Sequence, residues 1–406
     1  MNRKSQFRAG TTRGFGRNLS RRELLQSSLI AGGALLVGFE KIAWPRSPQS
    51  STLDPFTGGR QLGTVAFSKE ASVSMETLLG AELDRRLYTD LSTLNPENAV
   101  TPTEKFYVRT GASELLDSQK AWRVDMGGLA AKPSELNIEE LKKIASPMGL
   151  HLMECAGNAR SGHFGLMSVA DWTGVPVTEL FEGTKGRPES TRVLISGFDT
   201  YAAKSVSSVP GASWIFTWDD LKAARAFLAT EMNGSPLTRD HGAPVRLVVP
   251  GWYGCACIKW VNEITIVDDT AAATSQMEEY AARTMQTGVP RLAREYKPAT
   301  VEQAAMPIRI EKWVVGEKIK YRIVGILWGG SRPLKTLEIR FNPEEDYVAV
   351  DGFQQTANDP WSFWTHAWSP RQTGTYLIRL RVNEPRVAAR RLDLGYYMRS
   401  VEITEI

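Results

Sequence analysis

Short apolar runs alternate with polar turns along the chain, in two different rhythms. Between residues 104 and 270 the pattern is mixed. Residues 122–126 and 261–267 alternate apolar and polar side chains in the period of two that suits a half-buried strand. Residues 192–196 and 245–250 are nearly continuous apolar runs of buried-strand length. Two stretches predict helices instead: 74–88, through Leu78, Leu79, Leu83 and Leu87, and 136–144, where Ile138, Leu141 and Ile144 stand three apart. This predicts an α+β or mixed α/β domain. Residues 270–305 are polar and alanine-rich and read as a connection. From Ile308 the rhythm changes. Residues 321–328, 334–341, 347–350, 363–368, 375–382 and 398–403 predict strands, separated by Gly-Gly, Pro-Glu-Glu-Asp, Ser-Pro-Arg and Thr-Gly. Short strands with such punctuation predict a β-sandwich of roughly 100 residues. The expected organisation is a leader over 1–50, an α+β domain over 51–274 and a β-sandwich over 275–406.

Composition narrows the class. The 406 residues are 42% hydrophobic and 23% charged, which suits a globular protein with large cores and excludes disordered and collagen-like chains. The net charge of +4 is uneven: residues 1–46 hold nine Lys/Arg against Glu23 and Glu40, so the remainder is acidic overall. No basic surface for nucleic acid is expected there. The first 22 residues carry seven basic and no acidic side chains, and Arg21-Arg22 precede an apolar stretch over 27–39. Those thirteen residues, at about 1.5 Å each, fall short of a ~30 Å hydrocarbon core. A charged region, a short apolar region and a break form the pattern of an export signal. The paired arginines resemble a twin-arginine signal. That predicts a periplasmic protein exported already folded, with no stable membrane span after processing, and favours a cofactor inserted before export. An uncleaved anchor or a basic tail is the alternative.

Only three cysteines occur, Cys155, Cys255 and Cys257. A 255–257 bridge would close a tiny, strained loop, so at least one thiol needs a reason to stay unpaired, and metal ligation is one. No C-x-x-C or C-x-x-C-H run is present for an iron–sulfur centre or covalent haem. Two clusters carry the candidate chemistry. In the first, Cys155-Ala156-Gly157-Asn158 forms a small-residue turn that lets backbone approach a bulky group, with Arg160 following and Trp172 further on. In the second, His241, Arg246 and Lys259 flank a buried strand near glycine turns, an arrangement able to bind phosphate. Read by themselves, the first is equally a buried structural cysteine and the second a charged strand end.

Together these segments resemble the sulfite oxidase family of molybdopterin oxidoreductases across most of residues 100–380. The resemblance implies that Cys155 ligates molybdenum. Phe106-Tyr107-Val108-Arg109 matches a family segment whose arginine becomes Arg109. With Arg160 and Trp172, Arg109 would form the catalytic anion pocket. Tyr107, Asp199, His241, Arg246, Cys257, Ile258 and Lys259 would hold the molybdopterin. The segments Gly325–Gly329 and Trp364–Trp368 are similar to the family's immunoglobulin-like dimerisation domain, which implies a homodimer. The implied activity is oxidation of sulfite or a related small sulfur or oxyanion compound by oxygen-atom transfer. Electrons would pass to a separate acceptor such as a cytochrome c, with no haem on this chain.

The sequence also departs from the family. Its Arg-Asn-His reads Arg109-Thr110-Gly111, and Pro210 stands before Gly211-Ala212-Ser213 where the family has an active-site tyrosine. Tyr201 or Tyr253 could supply a phenol. Residues 206–218 are rewritten with Trp214, Phe216 and Trp218, which read as core or lid. Two other functions therefore stand beside the first: a sulfoxide-type reductase on the same cofactor, and a non-enzymatic immunoglobulin-like binding protein with a degenerate front domain.

Overall fold

The computed structural model describes residues 54–406 except 69, 71, 118–120, 160–163, 182–188, 206, 352 and 354–359. The leader and Arg160 lie outside the described residues. The described chain is mostly sheet with few, short helices.

Two sheets frame the front of the molecule. One is mixed, in the order Ser134–Asn137, Arg123–Gly128, Val261–Val267, Arg192–Gly197 and Ser213–Thr217. Its one parallel pairing joins Val261–Val267 to Arg123–Gly128, two strands far apart in sequence, as parallel neighbours must be. Here the apolar alternation does what it predicts: Val261, Ile264 and Ile266 are buried while Glu263 points outward. The other sheet is antiparallel and runs Ser235–Pro236, Phe227–Met232, Met167–Pro176, Ser146–Glu154, with Arg246–Val248 also paired to Phe227–Met232. Trp214 and Phe216 are fully buried on Ser213–Thr217, so this aromatic stretch is core.

The predicted helix over 136–144 begins later, at Ile138, because Asn137 and Glu140 form a capping box there. Leu136 belongs instead to a strand opposite Val124, and Ile144 is exposed rather than on a buried face. The predicted helix over 74–88 does not form. Glu76, Gly80 and Glu82 adopt positive φ, which no helix tolerates, and only a 3-10 turn at Glu82–Asp84 remains. Leu83 and Leu87 are still buried, so these two leucines are core residues without a helix to carry them.

Two further antiparallel sheets are built mainly from residues after 303, and both recruit strands from the beginning of the chain. Arg60–Val65 pairs with Ala304–Val315, which continues to Lys318–Trp328 and Ser362–Trp368. Phe67–Ser68 pairs with Arg399–Ile403, in a sheet with Gly374–Arg381, Glu338–Arg340 and Val348–Ala349. Aromatic side chains bridge the two sheets: Trp368 stacks on Phe341 at 4.3 Å and meets Tyr376 edge-on at 4.9 Å. Among the described residues no helix is long and apolar enough to cross a membrane.

Candidate active site

Cys155 comes directly after the strand Ser146–Glu154, in a turn fixed by its own backbone. The Cys155 amide donates to the Leu166 carbonyl (2.9 Å), and the Asn158 amide returns to the Cys155 carbonyl (2.8 Å). The Gly157 amide donates to the Cys155 sulfur at 3.3 Å. All three cysteines are free and buried, and Cys155 borders a cleft with about 800 Å³ of empty space that is partly open to solvent.

The opposite side of the cleft comes from residues 238–260. Thr238 caps the short turn Arg239–His241, and Gly242 closes it at φ +106°. A Cβ on Gly242 would meet the Arg246 Cβ at 2.9 Å and the Lys259 Cβ at 3.1 Å, so glycine is what lets these two cations approach the turn. His241 donates from Nε2 to the Phe106 carbonyl (2.9 Å), and its Nδ1 shares a hydrogen bond with the Thr238 hydroxyl (2.7 Å). Burial pushes its pKa down to about 4, against the help of the Phe106 carbonyl and with that of the Arg246 and Lys259 charges. Arg246 donates to the carbonyls of His241 (3.0 Å) and Cys257 (3.2 Å), while its Nε is buried without a partner. Lys259 donates to the carbonyls of Thr110 and Asp240 and lies 4.4 Å from the Trp260 ring. Burial holds both cations below their ordinary pKa, Lys259 far below. Among the described residues, no carboxylate lies within ion-pair distance of Arg246, Lys259 or Arg109. The Asp240 carboxylate is taken by Arg85 at 2.9 Å.

Nine of the residues singled out from sequence border this one cleft: Tyr107, Arg109, Cys155, Asp199, His241, Arg246, Cys257, Ile258 and Lys259. Trp172 does not. It is buried behind the wall, edge-on to Phe106 at 5.8 Å and 5.6 Å from Arg246. The Cys257 thiol faces the Val249 backbone amide at 3.4 Å. Arg109 donates to the Ser208 hydroxyl (2.8 Å) and the Ser207 carbonyl (3.4 Å). Asp199 is partly buried, no cation among the described residues pairs with it, and burial raises its pKa to about 6 despite amide donors from Ala212 and Gly211. Of the two candidate phenols, Tyr201 reaches the cleft, whereas Tyr253 packs under Arg391 at 4.3 Å.

Sequence reasoning missed three contributors. Arg86 donates to the Leu83, Arg85 and Arg109 carbonyls and to the Ser208 hydroxyl, bracing the Arg109 segment. Tyr280 and Gln276 enter the cleft from Ser275–Tyr280, inside the stretch expected to be a mere connection. Thr274 caps that helix, a signal present in the sequence.

The donor set fits molybdopterin. A buried arginine with an idle Nε and a desolvated lysine offer charge-assisted bonds to a phosphate. A Cβ at Gly254 would come within 2.5 Å of the Tyr107 hydroxyl, so glycine keeps that wall open. Among the described residues no three His, Cys, Asp or Glu gather around one point. A single thiolate suits a metal that brings its remaining ligands with its cofactor.

Comparison with known proteins agrees with this chemistry. Residues 111–275 match the family described as oxidoreductase molybdopterin binding domain. The chain is 30% identical to a nitrate reductase [NADPH] of Fusarium oxysporum over 203 residues, 44% of this chain and 21% of that protein. It is 26% identical to a sulfite oxidase of Arabidopsis thaliana over 200 residues, 45% of this chain and 51% of that protein. The match thus spans between about a fifth and a half of these relatives. The fold resembles the sulfane dehydrogenase SoxCD of Paracoccus pantotrophus, with TM-score 0.59 and 18% identity over 89% of this chain and 96% of that one.

Proposed function

Since this chain belongs to the sulfite oxidase family of molybdopterin oxidoreductases, we propose that it oxidises a small sulfur oxyanion or related anionic sulfur compound, sulfite being the reference substrate. The observation that carries this reading is a cleft bordered by the free Cys155 and by Arg109, Arg246 and Lys259, none of these cations matched by a carboxylate among the described residues; Cys255 and Cys257 border it too. Nitrate reductases and sulfite oxidases among the relatives support an anionic substrate.

Bound molybdenum–molybdopterin supplies two-electron oxygen-atom chemistry. The chain's own part is to hold and orient. Cys155 offers the thiolate ligand. Arg246 and Lys259 hold the phosphate, and His241, both ring nitrogens engaged by Phe106 and Thr238, fixes the turn beside them, with Asp199, Tyr107 and the 257–258 backbone shaping the remainder. Arg109 and Arg160 bind the substrate anion, and Arg109 would exchange its Ser208 partner for it. Phe106 and Trp172 close the back of the cleft against water, which strengthens every ion pair in front of them. Electrons leave to a separate carrier such as a cytochrome c. The paired arginines of the leader support export as a folded holoprotein to the periplasm. The two bridged C-terminal sheets support an immunoglobulin-like sandwich that forms a two-fold dimer.

The test joins metal analysis with a substrate screen. Protein made in a molybdopterin-competent host should carry about one molybdenum per chain and oxidise sulfite, with sulfate and phosphate competing. Cys155→Ser should lose activity and the visible thiolate band, while Cys255→Ser keeps both. Activity confined to sulfoxides would move the assignment to a reductase. Absence of molybdenum would end the enzymatic reading. Light scattering at micromolar concentration tests the dimer.

A further inference from the structure

The residue before Cys155 is a carboxylate with no exposure at all. Glu154 faces away from the cleft and is met by side chains from the far end of the chain. Its Oε2 accepts from the Trp328 indole (2.9 Å). Its Oε1 accepts from the Tyr397 hydroxyl (3.2 Å) and from the Asn158 side-chain Nδ2 (3.2 Å). Arg391 stands 4.0 Å from the same oxygen and donates to the carbonyls of Ala156 (2.7 Å) and Arg283 (2.6 Å). Cys155 is therefore bracketed. The residue before it and the residue after it are both anchored to the segment 390–397, and Asn158 closes the turn on the carboxylate. Trp328 and Tyr397 lock each other edge-on at 5.1 Å.

A buried carboxylate is expensive unless it is paired and hydrogen-bonded, and this one accepts three hydrogen bonds with a guanidinium 4.0 Å away. A neutral side chain would have satisfied packing at this position. What the charge adds is a fixed direction for the turn, because an acceptor with three donors and a cation has no alternative orientation to adopt.

We infer that Glu154 is a positioning residue, which ties the Cys155 turn to Arg391, Trp328 and Tyr397 and so sets the direction of the Cys155 thiol in the cleft. The C-terminal segment is then part of the site's scaffold. The inference concerns how Cys155 is held, and its importance for catalysis rests on the reading of Cys155 as the metal ligand.

The experiment is to measure iodoacetamide alkylation of Cys155 by mass spectrometry in cofactor-free full-length protein, and the visible thiolate band in loaded protein, for wild type and Glu154→Gln. Glutamine keeps the acceptor but removes the charge. The expected result is a severalfold faster alkylation of Cys155, with Cys255 and Cys257 unchanged, a shifted visible band, and cofactor retention lower by roughly tenfold, as for other residues that orient a ligand. Glu154→Asp, which keeps the charge, should recover part of the band shift. If Glu154→Gln does not fold, the double variant Tyr397→Phe/Trp328→Phe, which removes two donors and no charge, carries the same two measurements. Unchanged alkylation and an unchanged band in a folded variant overturn the inference. The alkylation arm judges Glu154 whether or not Cys155 binds metal, whereas a wild-type band surviving in Cys155→Ser would refute only the ligand assignment.

Discussion

Arg246 and Arg391 are equally buried, each with 4% exposure, yet they are satisfied in opposite ways. Arg246, on the cleft side, donates to two backbone carbonyls and a methionine sulfur, leaves its Nε idle, and has its pKa lowered by burial. Arg391, behind the Cys155 turn, also suffers burial and also leaves one nitrogen, Nη1, without a hydrogen-bond partner, but the oxygens of Tyr253, Glu154 and Tyr397 outweigh the burial and its pKa is raised. A buried cation without a counter-ion is a cost that a fold tolerates where an anion is to bind. A cation with its carboxylate inside the protein already has its charge compensated. The two arginines thus separate a binding wall from a structural one.

The largest effect should come from opening the closed side. Arg391→Met leaves the Glu154 carboxylate buried without its cation, and unfolding stability should fall by about 3–5 kcal/mol. Denaturant unfolding measures this. The double variant Arg391→Met/Glu154→Gln should recover a large part, because the orphan charge is gone. A loss below about 1 kcal/mol for the single variant would mean that the 4.0 Å pair contributes little beyond shape.

The cleft side should respond to pH. His241 is held neutral, with its pKa pushed from 6.5 to about 4, so the unfolded chain binds a proton in this window that the folded one refuses. Its contribution is fully present above about pH 6.5 and is lost as pH falls toward 4, by about 3 kcal/mol. His241→Gln should flatten that limb of the cofactor-free protein's stability profile. An unchanged limb would show that the ring is solvated after all.

Binding should separate the two arginines more directly. Inorganic phosphate should raise the melting temperature of cofactor-free wild type and of folded Arg391→Met, and should lose this effect in Arg246→Met. One charge-assisted contact is worth ~1.5–3 kcal/mol, or roughly ten- to a hundredfold in phosphate affinity. Equal losses in both variants would erase the distinction between the walls.

The cleft was more legible in the sequence than the closed side, and the reason is physical. Cys155, His241, Arg246 and Lys259 lie in short segments with glycine turns, where local chemistry constrains each residue type. Glu154, Trp328, Arg391 and Tyr397 meet across separations of up to 243 residues, and no local pattern announces such a contact. The strand Val261–Val267 was legible to the residue, although a register shift between Val261 and Glu263 interrupts its alternation. The twelve-residue strand Ala304–Val315 was not, since Pro307 sits at a register shift and the strand begins inside a stretch whose composition suits a linker. The leucines of 74–88 imitate a helical face, but positive φ at three positions breaks it. Trp172 matches an anion pocket by resemblance, and its burial behind Phe106 makes it the support of that pocket instead.

The smallest predicted effect tests whether Arg109 belongs with the binding wall. The Ser208 hydroxyl accepts from both Arg86 (2.7 Å) and Arg109 (2.8 Å). The two arginines are not equally dependent on it. Arg86 spends its other nitrogen on three backbone carbonyls, so it stays in place without the serine. Among the described residues Arg109 has besides Ser208 only a long contact to the Ser207 carbonyl, so losing the serine loosens it. Ser208→Ala should therefore cost about 1 kcal/mol of stability, the ordinary value for a part-exposed hydrogen bond. Phosphate affinity should move the other way and rise, because the loosened guanidinium no longer has a hydroxyl to give up before it can meet an anion. Thermal melting with and without phosphate reads both quantities on one sample. A fall in both would make Arg109 a brace for the 205–208 segment, and would leave Arg246 and Lys259 as the cleft's anion-binding cations among the described residues.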